Sequence, residues 1–186
     1  MLPVLVFRHC LLFILLITCV YTDVARGKIY NWCTLPAIGL GLGTNYVIGG
    51  LVDGGLSGAN LISALVAVAL VAVLFGWPYL RGGIAAGDVK LILAVAAIGG
   101  MHEFFTAYAL LYSALVGALM AVLVFIWHGE LWKGLKKGLR FTFSVGRIGE
   151  GKEEEAPARI TVPYGCAIAI GSIIAWYLVE LPAVPA

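Results

Sequence analysis

The sequence predicts an all-α protein that crosses a membrane about six times. Of its 186 residues, 62% are hydrophobic and 12% are charged, and its mean hydropathy is +1.02, far above that of soluble domains. The apolar residues form runs of about 20, the length with which a helix crosses the roughly 30 Å core of a bilayer. These runs lack the ten-residue apolar–polar alternation of a membrane barrel.

Six apolar runs define the predicted helices. Their Leu, Val, Ala and Ile content suits helices that satisfy their backbone hydrogen bonds internally. The fourth run is the shortest and is interrupted by glycine, which points either to a binding site or to a helix shielded by its neighbours. Six helices in 186 residues predict one integral-membrane domain, 1–186. The runs cover about 3–22, 32–51, 57–77, 86–101, 104–127 and 160–180.

The basic residues orient these helices. Short loops rich in lysine and arginine stay cytoplasmic, and eleven of the twelve basic residues fall after the first run, before the fourth and before the sixth. This alternation predicts that both termini lie outside. Arg8 is the exception: either the first helix starts nearer Cys10, or Arg8 reaches the outer surface. Residues 1–22 also resemble a signal peptide, but no small-residue cleavage site precedes Asp23, so we expect them to be retained.

Two aspartates stand apart from the other acidic residues, most of which fall in loops where solvation accounts for them. Asp23 closes the first helix and Asp88 opens the fourth, so the predicted topology places both at one depth on the cytoplasmic side. Ionisable residues at the edge of a membrane helix are costly and indicate function. Each also has a structural explanation alone, Asp88 as an N-cap and Asp23 as a partner of Arg26 or Lys28.

As a pair, Asp23 and Asp88 predict aspartic peptidase chemistry. Two adjacent carboxyl groups do not both ionise, so one acts as a base on water and the other as an acid on a carbonyl. Gly87 lets the backbone approach a bound strand closely. The alternative is a small transporter in which the aspartates bind a proton or cation, with Lys90 and Arg26 as counter-ions. That alternative does not explain why both aspartates lie at one face.

The long loop at about 129–159 is predicted to be cytoplasmic. Residues 131–141, LWKGLKKGLRF, space leucines at i, i+4 and i+8, which indicates a short amphipathic stretch on the inner leaflet. Residues 149–159, GEGKEEEAPAR, are charged and turn-rich, as in a linker. The basic side chains attracted to anionic lipid are Lys133, Lys136, Lys137 and Arg140.

No cofactor, metal or nucleic-acid partner is predicted. The chain shows no nucleotide-binding loop, nucleophile elbow or cluster of metal ligands. Its cysteines are spread singly with no C-x-x-C pair and are interpreted as small packing residues. They are Cys10, Cys19, Cys33 and Cys166.

Three motifs carry a resemblance to a known family. DVARGKIYN, residues 23–31, resembles the first catalytic-aspartate motif of the type IV prepilin peptidases, an aspartate followed by a basic patch and Ile-x-Asn. AAGDVKLILAVAAIGG, residues 85–100, resembles their second, Gly-x-Gly-Asp followed by x-Lys-Leu. TVPYGCAIAIG, residues 161–171, is similar to the Pro-Tyr-Gly segment that opens their last helix. The three motifs occur in the family's order over nearly the whole chain.

The resemblance implies a membrane-embedded GxGD-type aspartic endopeptidase with Asp23 and Asp88 as its catalytic dyad. Its substrates would be prepilins or pseudopilins, whose short basic leader stays in the cytoplasm while an apolar helix enters the bilayer. The implied location is the inner membrane, with several crossings. The matching supporting positions are Asn31, Gly87, Lys90, Pro163, Tyr164 and Gly165.

Several alternatives stay open within this resemblance. Lys90 either tunes the pair or is an interfacial lysine, and residues 163–165 either line the cleft or only begin the last helix. Ala85 replaces the first motif glycine; its methyl group crowds the substrate, or is harmless if the position needs no positive φ. An inactive pilus scaffold would tolerate that change, and archaeal preflagellin peptidases share the aspartate pattern. The chain resembles short, peptidase-only members, such as those of tight-adherence pili, so no N-methyltransferase activity is expected.

Overall fold

The computed structural model describes residues 2–82, 84–127 and 164–179 of the chain. These residues form six α-helices and two short 3-10 turns, Gly55–Ser57 and His102–Phe104, without any strand. The all-α prediction is therefore confirmed for this part of the chain, and each predicted run contains one helix. The helices are α1 Leu2–Arg26, α2 Asn31–Gly49, α3 Leu61–Leu80, α4 Ala86–Gly99, α5 Phe105–Trp127 and α6 Tyr164–Val179.

Three helical segments are long and apolar enough to cross a membrane, which indicates a membrane protein. They are Pro3–Arg26, Leu61–Leu80 and His102–Val124. Helix α6 is apolar but has 16 residues, and α4 has 14, fewer than the roughly 20 that a perpendicular crossing needs. Six crossings and the sidedness of the termini stay predictions.

Helix α4 is the central helix of the first of two compact units, whose described residues are 2–82, 84–117 and 164–179. It packs against α1, α2, α3 and α6. From Leu91 to Gly99 every residue except Leu93 is buried. The short fourth helix is thus shielded by its neighbours, which was one of its two predicted explanations.

Small and polar residues hold α2 against the end of α4. A Cβ atom at Gly41 would lie 2.8 Å from the carbonyl carbon of Ala97, so glycine is needed for this approach. The buried Asn45 donates from Nδ2 to the carbonyl oxygens of Ala97 at 3.0 Å and of Ile98 at 2.9 Å. The last carbonyls of a helix have no partner within it, so Asn45 supplies partners at the end of α4.

The structure contradicts both predictions for Arg8. Helix α1 begins at Leu2, well before Cys10. The side chain of Arg8 is 1% exposed, so it lies inside the protein and does not reach the outer surface. The charged residue within the first apolar run, Arg8, therefore lies neither at the start of α1 nor at the protein surface.

The second compact unit spans residues 118–162, of which the structure describes residues 118–127, the end of α5. This part is helical, with Leu119, Leu123 and Ile126 exposed. The predicted loop at 129–159 lies outside the described residues, as does Pro163. So do the basic side chains predicted to bind lipid, Lys133, Lys136, Lys137 and Arg140.

Candidate active site

Asp23 lies in the last turn of α1, where a glycine cap ends the helix. Gly27, the residue after the helix, has φ of +61°, a left-handed conformation that favours glycine. Its N–H donates to the carbonyl oxygen of Asp23 at 2.8 Å. Arg26 was one predicted partner of Asp23, but its Nη1 donates instead to the Tyr30 hydroxyl at 3.3 Å. The cap therefore fixes the backbone that carries the Asp23 carboxylate.

Asp88 lies in the first turn of α4 and is not the N-cap of that helix. The N-cap is Ala85, in an extended conformation with φ of −71° and ψ of 143° and with no side-chain cap bond. The predicted N-cap role of Asp88 is therefore wrong. Because φ is negative at Ala85, this position does not demand glycine, so alanine fits there without backbone strain.

The carboxyl groups of Asp23 and Asp88 interact at one end of the bundle. Both side chains are half-buried, and Asp88 lies outside the three segments that are apolar enough to cross a membrane. Burial raises the pKa of Asp88 to about 6, and the nearby charge of Asp23 adds to this rise. Asp88 therefore keeps its proton at pH values where an ordinary aspartic acid, with a pKa of about 3.9, has lost it.

The start of α6 contacts the same pair. The backbone N–H of Gly165 donates to Oδ2 of Asp23 at 3.0 Å. A Cβ atom at Gly165 would lie 2.6 Å from that oxygen, so a side chain there would collide with the carboxylate. Tyr164 lies within electrostatic reach of Asp88, and its ring packs against Gly117 of α5. Tyr164 and Gly165, the two described residues of the Pro-Tyr-Gly segment, are thus brought to the dyad.

The other supporting residues join the starts of α2 and α4. Lys90 donates from Nζ to Oδ1 of Asn31 at 2.8 Å, across 59 residues of sequence. A Cβ atom at Gly87 would lie 3.0 Å from Cβ of Ile29, which comes just before α2. The first two motifs therefore touch each other directly, at Lys90–Asn31 and at Gly87–Ile29.

Comparison with protein families decides what these motifs represent. The model of the type IV leader peptidase family matches residues 10–122. The chain belongs to this family. The match includes Asp23 and Asp88 and confirms the predicted resemblance; Tyr164 and Gly165 lie beyond it. Comparison with curated proteins and with solved structures finds no match.

In this leader peptidase family member, two of the four cysteines contact each other near the end of α1. The sequence interpretation treated all four as single packing residues, but Sγ of Cys19 lies 3.9 Å from Sγ of Cys33. Cys19 lies on α1, one turn before Asp23, and Cys33 lies on α2, two residues after Asn31. Spacing within one helix could not reveal this contact, because it depends on how α1 and α2 are rotated against each other.

The described residues of this family member form no cluster of metal ligands. Within residues 2–82, 84–127 and 164–179, no three His, Cys, Asp or Glu side chains converge where they could hold a metal ion.

Proposed function

We propose that this protein is a membrane-embedded aspartic endopeptidase that removes the short basic leader of prepilins or pseudopilins. Membership of the leader peptidase family supports the activity. The observation that carries the mechanism is the interaction between the carboxyl groups of Asp23 and Asp88, which come from two different helices.

The unequal surroundings of the two carboxyl groups support different roles. Asp88, with its raised pKa, is the proton donor to the carbonyl oxygen of the scissile bond. Oδ2 of Asp23 accepts the Gly165 N–H bond, which holds this carboxylate in place, and we assign Asp23 as the base that activates water. Water attacks the carbonyl carbon as its proton passes to Asp23 and Asp88 protonates the carbonyl oxygen. The C–N bond of the tetrahedral diol then breaks as Asp23 gives its proton to the leaving amine, and a hydroxyl proton returns to Asp88 as the carbonyl re-forms.

The proposed topology places this chemistry at the cytoplasmic face of the inner membrane. Six crossings with both termini outside would put the end of α1 and the start of α4 on the cytoplasmic side, following the distribution of basic residues. In a prepilin substrate, the junction between the basic leader and the apolar helix would lie at the same depth in the membrane as the two aspartates.

Cleavage of a model prepilin by the purified chain in liposomes tests the proposal. Asp23→Asn and Asp88→Asn keep the size of each side chain but cannot share a proton. We expect wild type to release the leader and each variant to lose at least about a thousandfold in rate while remaining folded, since each removes one of two acid–base groups.

The control substitution is Asp53→Asn, which removes a carboxylate from the turn between α2 and α3. We expect this variant to cleave like wild type. Persistent cleavage by Asp23→Asn or Asp88→Asn would show that the altered aspartate is structural. An inert wild type on several pilins would favour the scaffold alternative.

A further inference from the structure

An apolar groove runs along the bundle from the last turn of α1. It has a volume of about 640 Å³ and lies between α1, from Phe13 to Ala25, and α6, from Cys166 to Ile173. Its lining residues recur every three or four positions on each helix, so the groove follows one face of α1 and one face of α6. At 1.5 Å per residue, the α1 wall is about 18 Å long.

One end of this groove lies beside the candidate active site. Tyr21 and Val24, which flank Asp23 in the last turns of α1, line the groove there. Cys166 lines it next to Gly165, whose N–H is bonded to the Asp23 carboxylate. At the other end the ring of Phe13 packs edge-on against Trp176, with ring centroids 4.9 Å apart. The groove therefore leads from the neighbourhood of Asp23 to the aromatic pair of Phe13 and Trp176.

The walls of the groove are exposed and its floor is buried. Ile17, Tyr21 and Ile170 are 68%, 71% and 46% exposed, so their side chains are accessible from outside the bundle. Leu16 and Ala169, at 2% and 5%, form the floor. The groove is therefore open along its length to the side chains of a helix packed on its outside.

We propose that this groove between α1 and α6 binds the apolar membrane helix of the leader-bearing substrate. This inference rests on the proposed function and extends it from the scissile bond to the rest of the substrate. A helix whose apolar side chains lie along the groove has its end at Asp23, which is where the junction with the leader must be cut. Binding of this kind, an apolar helix face in an apolar groove, would select substrates by their membrane segment.

Photo-crosslinking tests the groove independently of cleavage. Benzoylphenylalanine replaces Ile170 in the groove or, as a matched control, Leu115 on α5, which is 58% exposed and does not line the groove. Each variant is placed in liposomes of phosphatidylethanolamine and phosphatidylglycerol with a model prepilin. We expect a substrate adduct from position 170 at least about fivefold stronger than from position 115, and competed by unlabelled prepilin. Lipid adducts alone from position 170, or equal substrate adducts from both, would overturn the proposal.

Kinetics give a second test with two substrates. Ile17→Trp and Ile170→Trp fill the groove, and Leu115→Trp adds the same side chain elsewhere. We expect the groove variants to raise KM for the model prepilin about tenfold, because a buried side chain of the substrate is displaced. Cleavage of a peptide that has the leader and scissile bond but no apolar helix should not change. Equal effects on both substrates, or none, would contradict the proposal.

The two proposals can fail separately. The cross-linking experiment is repeated with the Asp23→Asn variant, because binding of the substrate helix does not require cleavage. A substrate adduct together with an inert wild type would mean that the groove binds the helix and the peptidase assignment is wrong. Cleavage by wild type without the adduct would mean that the peptidase assignment holds and the groove has another occupant, such as a lipid acyl chain.

Discussion

The backbone N–H of Gly165 donates a hydrogen bond of 3.0 Å to Oδ2 of Asp23 across 142 residues of sequence. It joins the last described helix to the first at the carboxylate that we assign as the base. Because a Cβ atom at Gly165 would lie 2.6 Å from that oxygen, Gly165→Ala must displace the carboxylate or the start of α6. We expect a loss of at least about tenfold in kcat, since about 1.4 kcal/mol of transition-state stabilisation is tenfold in rate.

Gly39→Ala is the control for that prediction. A Cβ atom at Gly39 meets nothing within 4 Å, and alanine favours a helix. Cleavage should be unchanged in this variant. Equal kcat values for the two variants would show that the Gly165 contact has no role in the reaction.

Two opposite substitutions in the motif around Asp88, glycine to alanine and alanine to glycine, test its backbone requirements. Gly87→Ala places a Cβ atom 3.0 Å from Cβ of Ile29, which pushes the two motifs apart, so we expect a several-fold loss of kcat/KM. Ala85→Gly restores the usual motif residue but relieves no strain, because φ there is already −71°. We expect its cleavage rate to stay within about twofold of wild type, since either residue adopts this conformation. A large gain from Ala85→Gly would mean that the methyl group crowds the substrate.

The hydrogen bond between Lys90 and Asn31 predicts non-additive kinetics. If Lys90 acts by holding Asn31, at the start of α2, then Lys90→Met and Asn31→Ala remove the same interaction. The double variant should then lose no more kcat/KM than the worse single variant. Arg81→Met controls for charge, because Arg81 instead lies over the Trp77 ring at 4.4 Å. Losses that simply add would indicate that the two residues act separately.

Asn45 should matter for stability more than for catalysis. Replacing it with alanine leaves the carbonyl groups of Ala97 and Ile98 without their buried donor. We expect the free energy of unfolding to fall by about 1–3 kcal/mol, measured by denaturant titration in detergent micelles. The control is Thr18→Ala, which loses only a bond to Ile14 in its own helix and should change stability by less than about 0.5 kcal/mol.

The raised pKa of Asp88 predicts how cleavage and stability depend on pH. The acid form of Asp88 is present below about pH 6 and is lost as the pH rises through that value. For the free enzyme, kcat/KM should therefore fall on the alkaline side, with an apparent pKa that belongs to the coupled pair.

The same carboxyl group also opposes folding once it is ionised. A carboxyl group whose pKa is raised in the folded state contributes stability at low pH, and this contribution disappears as pH rises through about 6. Asp88→Asn should accordingly raise the melting temperature more at pH 8 than at pH 5. An equal change at both values would show that Asp88 carries no such penalty.

Local sequence patterns predicted the helices well but not how their faces meet. Apolar length placed a helix in every run, because the hydrophobic run and the helix have the same cause. The motif residues Asp23, Asp88, Asn31 and Lys90 were identified from their type and order. Their contacts with one another could not be predicted, since a contact across 59 residues depends on the packing of whole helices.

Buried polar residues were the other feature that the sequence did not predict. Arg8 lies in an apolar run, and its charge suggested a surface, yet the fold buries it. The structural role of Asn45 could not be predicted, because a single amide in an apolar helix forms no recognisable sequence pattern. Both cases depend on neighbouring helices that supply or shield the polar group, and a single sequence does not specify those neighbours.

The packing of α4 also limits how its length can change. Its far end is fixed by Asn45 and by the close approach of Gly41 to Ala97, nine residues or about 14 Å beyond Asp88. Each residue inserted or deleted between those two points would turn Asp88 by about 100° around the helix axis. Inserting or deleting one residue would therefore aim the carboxyl group of Asp88 away from Asp23, even if every motif residue were still present. The register of this helix is as much a requirement of the site as the identity of its aspartate.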